Sequence, residues 1–239
     1  MKRRKSPTEP KSYILNEDTP WNLKEAYKSL RTNVLLSTPD DGNRVIAFTS
    51  AEPHDGKTTN AVNFAISLSQ IDKKVLLIDC DLRKPMVANL LNINQEPGLT
   101  ELITKQARAQ EAMKRLTTYG IDVLPSGTIP PDPTLLLQSE RMKAIISEMK
   151  KIYDFIVFDL PPVNMVADAS IIAELIDGFL LVVRHDETDY RSVANMMEQL
   201  ELANAKILGF VYNGQGSDSK HYYKYNYSYK YGNSYYRQD

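Results

Sequence analysis

Twelve residues near the start of the chain constrain its fold more than any other stretch. They run from Phe48 to Thr59, read FTSAEPHDGKTT, and separate an apolar run at 45–48 from a helix-patterned run that begins at Ala61. A strand, a tight turn and a helix in this order place unpaired helix N–H groups and the positive end of the helix dipole beside the turn. Lys57 adds a full charge, and the Thr58 hydroxyl can bind a Mg²⁺ ion that accompanies phosphates. The stretch therefore predicts a site for nucleotide phosphates.

The stretch departs from the usual phosphate-loop pattern, Gly-x4-Gly-Lys-Ser/Thr, at its first position. Ala51 stands where the first glycine is expected. Because a Gly-Lys-Thr triplet often occurs by chance, the motif alone also fits an ordinary helix start with Lys57 in solvent. The strand before it and the helix after it favour the phosphate site.

Two further apolar runs end in carboxylates. Residues 75–78 precede Asp79 and Asp81, and residues 155–158 precede Asp159. Runs of this kind are typical of parallel strands buried on both faces, and open α/β sheets bind their ligands at the carboxyl ends of such strands. Since neighbouring carboxylates repel each other, a cation is needed there, and Mg²⁺ with nucleotide phosphates would supply one. The alternation of strands and helices predicts a mostly parallel sheet.

Composition excludes several classes of protein. The chain has 239 residues, a net charge of −1 and one cysteine, Cys80, interpreted as a buried small residue. The charge gives no reason to expect nucleic-acid binding, and the single thiol excludes an internal disulfide framework and fits a reducing compartment. No apolar run approaches the roughly 20 residues that span a bilayer. The basic N-terminus lacks the apolar core of a secretory signal.

The pattern divides the chain into three segments. Residues 1–21 are predicted to be a mobile polar arm, 22–213 a folded α/β domain, and 214–239 a disordered tail. Within the domain we expect a helix at 22–36, a mostly helical region at 86–118, and a helix at 168–176. The apolar stripe of the first helix is Leu23, Ala26, Tyr27, Leu30 and Val34. A further helix at 191–203 is expected to turn Val193, Met196, Met197 and Leu200 inward. These positions are read from hydrophobic periodicity.

The tail is unusual because it concentrates tyrosine. The chain has 14 tyrosines. Eight of them lie in the last 26 residues: Tyr222, Tyr223, Tyr225, Tyr227, Tyr229, Tyr231, Tyr235 and Tyr236. Three interpretations fit this pattern: stacking on single-stranded nucleic acid, a low-complexity tail that associates with itself, or a set of phenol substrates on a flexible segment.

Taken together, these features resemble the bacterial tyrosine kinases, in particular the cytoplasmic form that works with a separate membrane adaptor in capsule and exopolysaccharide synthesis. The resemblance covers residues 22–239 and rests on the modified phosphate loop and on the tyrosine tail. It also rests on VLLIDCDLRKP at 75–85, GTIPPDPTLLL at 127–137 and DFIVFDLPP at 154–162. It implies a three-layer P-loop NTPase fold, ATP and Mg²⁺ as cofactors, and autophosphorylation of the tail in trans.

The resemblance also assigns roles by position. Asp55, Gly56, Lys57, Thr58 and Thr59 would bind the nucleotide, with Asn213 beside the adenine. Thr58, Asp81 and Asp159 would hold the metal, and Asp79 would be the catalytic base, with Asp81 as the fallback. Glu25, Lys28 and Arg31 map to the family's Glu-x2-Arg-x2-Arg helix, which implies a homo-oligomeric ring, typically an octamer in this family. Other protein substrates and recruitment to the inner face of the membrane are implied, whereas nucleic acid is not expected.

The sequence departs from the family pattern at three places: Lys28 replaces an arginine, His54-Asp55 replaces Gly-Glu, and Leu160 replaces a threonine. Lys28 keeps the charge but cannot form the planar, bidentate hydrogen bonds of a guanidinium. The main alternative is an ATPase of the partition or division-positioning type, which shares the fold and hydrolyses ATP without forming phosphotyrosine. That class usually carries a lysine where this chain has Glu52.

Overall fold

The computed structural model describes residues 13–38 and 44–214. Within these two ranges the chain forms seven strands and nine α-helices. The strands are β1 (Arg44–Ser50), β2 (Val75–Asp79), β3 (Lys114–Leu116), β4 (Ile121–Leu124), β5 (Phe155–Asp159), β6 (Gly178–Arg184) and β7 (Ile207–Asn213). The helices are α1 (Trp21–Ser37), α2 (Lys57–Ser69), α3 (Val87–Leu91), α4 (Leu99–Ile103), α5 (Ala109–Ala112), α6 (Pro133–Leu137), α7 (Glu140–Lys150), α8 (Asp168–Ile171) and α9 (Tyr190–Leu202).

The described strands form one sheet in the order β3-β4-β2-β5-β1-β6-β7. Neighbouring strands are parallel except for the pair β3 and β4. Every residue of β1, β2 and β5 is buried, as expected for central parallel strands that helices cover on both faces. The predicted three-layer, mostly parallel architecture is confirmed. It brings the carboxyl ends of β1, β2 and β5 side by side.

Two hydrophobic clusters hold the layers together, one on each face of the sheet. On one face α7 and α9 contribute Met142, Ile146, Met196 and Leu200. On the other face α1 and α2 contribute residues such as Tyr27 and Phe64. Helix α2, which begins at the phosphate loop, is thus packed directly between the sheet and α1. The loop is anchored to the most buried part of the fold.

The structure corrects several details of the sequence-based prediction. Leu23 and Met197 are 37% and 39% exposed, and Ala26 is also exposed. Helices α1 and α9 each bury a narrower strip of side chains against their neighbours than the periodicity suggests. The region 86–118 contains three short helices and the antiparallel strand β3 rather than mostly helix. The predicted helix 168–176 divides into α8 and a 3-10 turn at Ala173–Leu175.

The segment 13–20 differs most from its predicted place in a mobile arm. Ile14 and Leu15 are buried and belong to the cluster around α1 and α2. The Leu15 N–H donates to Asn63 Oδ1 at 2.8 Å. Two apolar side chains in a polar stretch were too weak a signal to indicate this docking. The expectations for residues 1–12 and 215–239 lie outside the described residues.

Helix α6 begins with a side-chain cap: Asp132 accepts a hydrogen bond from the Leu135 N–H, and Pro133 lies in the first turn. Cys80 is buried and is a free thiol. Across the ranges that the structure describes, none of the helices combines the length and apolarity that crossing a bilayer demands.

Candidate active site

Helix α2 begins without a side-chain cap. Its N-cap is Gly56, in a left-handed conformation with φ of 98°. A Cβ atom at this position would lie 2.1 Å from Asn213 Nδ2, so glycine is required both by the backbone angle and by the close approach. In contrast, α9 is capped by Asp189, whose side chain accepts hydrogen bonds from two backbone N–H groups in the first turn. The first N–H groups of α2 are therefore left for an anionic ligand.

Three charged side chains meet beside this helix end. Lys57 Nζ lies 3.1 Å from Asp81 Oδ2 and 3.9 Å from Asp159 Oδ1. The side chain of Lys57 is 11% exposed, and the two carboxylates are almost completely buried. Asp159 lies at the end of β5 and Asp81 just after β2, so the adjacency of these two strands creates the cluster.

Asp159 is the least satisfied group in the cluster. Both of its carboxylate oxygens are buried and lack a well-aligned hydrogen bond from the described residues, although the Thr58 hydroxyl is near enough to lower the pKa of Asp159 as a donor. Burial raises the pKa of Asp159, and Lys57 offsets part of that effect. Burial by itself would lower the pKa of Lys57, but Asp159 and Asp81 outweigh it and the pKa is raised. A buried acceptor without a donor is costly and indicates a missing partner.

Asp79 lies deeper than Asp81. Its Oδ2 accepts from the Val87 N–H at 3.0 Å and its Oδ1 from the Asp81 N–H at 3.2 Å. Its pKa is raised well above the ordinary value, first by burial and then by the charge of Asp159. Asp81 uses Oδ1 to accept from the Lys84 N–H at 2.9 Å. Asp79 thereby fixes the turn that aims Asp81 at Lys57.

The phosphate loop is also held from β6 and β7. Asn213 Nδ2 donates to the Asp55 carbonyl at 2.8 Å, and Arg184 Nη1 donates to the His54 carbonyl at 2.8 Å. Thr188 Oγ1 donates to Asp55 Oδ1 at 2.8 Å. Burial raises the pKa of Asp55, although the hydrogen bond from Thr188 opposes this. His54 has a positive φ of 71°, so the loop tolerates a side chain at a conformation that favours glycine.

The cluster fits a magnesium ion held jointly with phosphates. Among the described residues, no group of three or more His, Cys, Asp or Glu side chains forms a ready-made metal cage. Mg²⁺ does not need one, because it keeps several waters and binds through one or two carboxylates together with phosphate oxygens. The unpartnered oxygens of Asp159 match this requirement. Thr58, which was predicted as a further ligand, lies in the first turn of α2.

The structure brings most of the predicted site residues together and separates others. The loop residues 55–59, the three aspartates and Asn213 converge at one edge of the sheet. Asn213, predicted beside adenine, donates a side-chain amide N–H to the Asp55 carbonyl of the loop. The oligomer-contact residues lie elsewhere, on α1: Lys28 pairs with Glu25 at 2.7 Å on the surface, and Arg31 donates to the Ser67 carbonyl on α2. The eight tail tyrosines lie outside the described residues.

Sequence reasoning missed Arg184, Thr188 and Asn60 as supports of the loop. Asn60 Nδ2 donates to the Gly56 carbonyl at 2.9 Å. Arg184 is the last residue of β6, and the strand-end rule that identified Asp79 and Asp159 would have found it too. Asn60 lies three residues after Lys57, beyond the last position that the phosphate-loop pattern specifies. Thr188 carries no distinguishing signal.

Comparison with known proteins now identifies the family. A protein-family model described as an AAA domain matches residues 43–208. Tyrosine-protein kinase YwqD of Bacillus subtilis is 39% identical over 208 residues, covering 87% of this chain and 84% of the relative. The chain belongs to the bacterial tyrosine kinase family.

Solved structures agree with this assignment. The kinase domain of the Escherichia coli tyrosine kinase ETK matches with a TM-score of 0.82 and 29% identity, covering 92% of this chain and 86% of that one. The chimerical protein CapA2B2 matches with a TM-score of 0.80 and 30% identity, covering 85% and 90%.

The class of the main alternative is also represented among the solved structures. The septum site-determining protein MinD of Pyrococcus horikoshii, complexed with Mg-ADP, matches with a TM-score of 0.61 and 22% identity, covering 73% of this chain and 72% of that one. At this identity the likeness shows only the shared fold. It does not favour the ATPase interpretation over family membership.

Proposed function

We propose that the chain is an ATP-dependent protein tyrosine kinase that phosphorylates its own C-terminal tyrosine cluster in trans. The observation that carries the proposal is the meeting of an uncapped helix N-terminus with Lys57, Asp81 and the unpartnered Asp159. Phosphoryl transfer depends mainly on positioning and on neutralising charge. This cluster supplies N–H donors, a fixed cation and acidic groups within a few ångströms of each other.

The nucleotide phosphates are held by the loop and the first turn of α2. Backbone N–H groups of Asp55 to Thr59 bind the β-phosphate, and Lys57 bridges the β- and γ-phosphates. Its hold on Asp81 keeps the ammonium group aimed at the site before the nucleotide arrives. Asn213 supports the loop through the Asp55 carbonyl and lies on the side where the adenine is expected.

Magnesium is assigned to Asp159, Asp81 and Thr58. The ion would neutralise charge on the phosphate oxygens during transfer. Asp159 contributes carboxylate oxygens that have no other hydrogen-bond partner among the described residues. Asp81, just after β2, lies beside Lys57 in the same cluster.

A base is needed because a tyrosine hydroxyl has a pKa of about 10. Asp79 is the first candidate, since its raised pKa suits proton acceptance near neutral pH. Asp81 is the second candidate, because it lies beside Lys57 whereas both oxygens of Asp79 already accept backbone N–H groups. Separate Asp79→Asn and Asp81→Asn variants distinguish the two: only the loss of the true base removes the acidic limb of the pH–rate profile for kcat.

The tail tyrosines are the proposed acceptors. Their segment follows β7, whose last residue, Asn213, contacts the phosphate loop. The tail therefore leaves the sheet at the same edge as the site. A segment of this length reaches up to about 80 Å when extended, which is ample for the active site of a neighbouring subunit.

A ring of subunits would place each tail beside a neighbouring site. The exposed pair of Glu25 and Lys28 on α1 is the proposed contact between subunits. Arg31, which is bound to α2 of its own subunit, would brace that helix. Each added phosphate carries about −1.5 to −2 charges, so phosphorylated tails would repel one another and loosen the ring. Light scattering before and after incubation with ATP tests this, and an unchanged mass after full phosphorylation would contradict it.

The cellular setting is proposed from the family resemblance alone. A separate membrane adaptor would recruit the cytoplasmic chain to the inner face of the membrane and activate it, in control of capsule or exopolysaccharide synthesis. Other protein substrates would be presented there.

The deciding experiment is incubation with Mg²⁺ and ATP, followed by mass spectrometry of the tail, with Lys57→Met run in parallel. Phosphotyrosine in the wild-type chain but not in Lys57→Met is expected. ATP hydrolysis without any phosphotyrosine would instead support the partition or division-positioning ATPase. Glu52, held by Ser192 Oγ at 3.0 Å, occupies the position of the lysine usual in that class.

A further inference from the structure

A buried line of hydrogen bonds joins the N-terminal segment to the phosphate loop. The Leu15 N–H donates to Asn63 Oδ1 at 2.8 Å, and Asn63 Nδ2 donates to the Tyr27 hydroxyl at 3.1 Å. The Tyr27 hydroxyl donates to Asn60 Oδ1 at 3.0 Å, and Asn60 Nδ2 donates to the Gly56 carbonyl at 2.9 Å. Tyr27, Asn60 and Asn63 are all buried.

The direction of this line is fixed at both ends. A backbone N–H can only donate, so Asn63 must turn its oxygen toward Leu15 and its amide N–H toward Tyr27. A backbone carbonyl can only accept, so Asn60 must turn its amide N–H toward Gly56 and its oxygen toward Tyr27. The Tyr27 hydroxyl accepts from Asn63 and donates to Asn60 through a single oxygen atom, whereas each asparagine accepts and donates through two different atoms. Burial raises its pKa, which keeps the proton in place.

The last hydrogen bond of the line, from Asn60 to the Gly56 carbonyl, holds the peptide between Gly56 and Lys57. This peptide carries the first N–H of α2 in the proposed phosphate site. The Gly56 carbonyl accepts from both the backbone N–H and the side-chain amide of Asn60. In a trans peptide the N–H points opposite to the carbonyl. Holding the Gly56 carbonyl toward Asn60 therefore holds the Lys57 N–H in the opposite direction. Because Gly56 has a positive φ and no side chain, nothing in its own residue resists rotation of this peptide.

We propose that Tyr27 is a positioning residue for the phosphate loop, which couples nucleotide binding to the docking of α1 and of residues 13–15. Its hydroxyl orients Asn60, and Asn60 fixes the peptide between Gly56 and Lys57. The inference rests on the proposed nucleotide site. Coupling between two sites is reciprocal, so nucleotide binding tightens the docking of α1 and the N-terminal segment to the same extent that docking favours the nucleotide.

A second hydrogen bond also joins α1 to α2. Arg31 donates to the Ser67 carbonyl near the end of α2, whereas Tyr27 acts near its beginning. Helix α1 is thus attached to α2 at two points about two helical turns apart along α2. Any force that shifts α1, such as a subunit contact at Glu25 and Lys28, is transmitted to Asn60 and to the loop.

The test is the affinity for MgADP, measured by calorimetry, which does not depend on catalysis. Tyr27→Phe removes only the hydroxyl and is expected to weaken MgADP binding by about fivefold, the loss typical of one internal hydrogen bond. In kinase assays the KM for ATP rises by the same factor while kcat is retained. A role confined to stability would leave both constants unchanged.

The matched control is Tyr153→Phe. It also removes a tyrosine hydroxyl, here one that donates to Asp122 Oδ2 at 2.7 Å at the opposite edge of the sheet. This variant is expected to bind MgADP within about twofold of wild type, because its lost bond lies outside the line. Equal losses in both variants, or no loss in Tyr27→Phe, would overturn the inference.

Hydrogen exchange on the unaltered chain gives a second, independent measurement. MgADP is expected to slow exchange of the Leu15 amide, whose proton is the first in the line. Unchanged exchange at Leu15 in a chain that binds MgADP would overturn the inference and leave the proposed function intact. A wild-type chain that fails to bind MgADP would overturn the proposed function and this inference together.

Discussion

The two ends of strand β5 carry the same residue type in opposite situations. Asp154, just before the strand, accepts a hydrogen bond from the Lys74 N–H at 2.8 Å. Asp159, at the end of the strand, is completely buried, and its oxygens accept nothing from the described residues. One carboxylate is satisfied by the fold, whereas the other is left with only the ammonium group of Lys57 at 3.9 Å. The difference is expected if Asp159 serves the proposed magnesium site rather than stability.

The contrast extends along both edges of the sheet. At the amino edge, Asp177 accepts from the Val45 N–H at 2.7 Å, and Tyr153 donates to Asp122. At the carboxyl edge, α2 lacks a side-chain cap and acidic groups crowd around Lys57. A buried polar group left unpaired costs about 1–3 kcal/mol. Among the described residues, the buried side-chain atoms without a hydrogen-bond partner are the two Asp159 oxygens and the Thr100 hydroxyl, and those of Asp159 lie beside Lys57 at the carboxyl edge.

The largest expected effect comes from Lys57→Met. Methionine has a similar length but no charge, so we expect phosphoryl transfer to fall by about 1,000-fold, at the upper end of what one lost electrostatic contact costs. Phosphotyrosine measured by mass spectrometry checks this. Lys73→Met, an exposed lysine at the amino edge, is the control and should retain full activity. Comparable losses in the two variants would remove the contrast between the edges.

Asp159→Asn is expected to lower phosphoryl transfer by about 100-fold. The substitution weakens the ion pair of Asp159 with Lys57 but also removes a buried charge that lacks a well-aligned hydrogen bond, so the free energy of unfolding without nucleotide should change little. Asp154→Asn should keep its activity and change the free energy of unfolding by less than about 1 kcal/mol. Urea unfolding and a kinase assay measure both quantities. A strongly destabilised Asp159→Asn would show that this carboxylate serves the fold.

Gly56→Ala is expected to weaken MgADP binding by about tenfold, because its Cβ would displace Asn213 from the loop. The left-handed backbone adds a cost of about 1 kcal/mol in the free energy of unfolding. Gly120→Ala provides the comparison at the amino edge: its φ is 68° and its Cβ would meet Ser69 Oγ at 3.2 Å. We expect that variant to lose stability but to bind MgADP normally. Calorimetry and thermal unfolding distinguish the two outcomes.

The smallest effect concerns pH. Burial raises the pKa of Asp159 above its ordinary value of 3.8, so the folded chain holds this proton more tightly than the unfolded chain does. The stability gained from this proton is present below pH 3.8 and is lost as the pH rises through the higher pKa of the folded state. Relative to Asp159→Asn, the wild-type chain without nucleotide should lose stability over this window.

The comparison again uses Asp154. Stability curves of Asp154→Asn and wild type, measured by urea unfolding from pH 4 to 7, are expected to run nearly parallel. If the curve of Asp159→Asn also runs parallel to wild type, Asp159 is already ionised and satisfied in the folded chain. That result would contradict its assignment as a ligand-dependent group.

The sequence by itself determined the layers of the fold and the acids of the site. The apolar runs at 75–78 and 155–158 form β2 and β5 as predicted, because continuous apolar runs bounded by turn residues leave few alternatives. Asp79, Asp81 and Asp159 were predicted at one edge because parallel strands end together. These are consequences of short-range pattern and of one rule of topology.

Only the tertiary structure decided which side chains support the loop. Nothing local marks Tyr27, Asn60 and Asn63 as a connected line, since Tyr27 lies 33 residues from Asn60. The docking of Leu15 on Asn63 spans 48 residues. Hydrogen bonds between elements depend on how helices pack, and packing is set by the sum of many apolar contacts. Local sequence pattern therefore located the chemistry, whereas the packing of α1 against α2 decided how that chemistry is held.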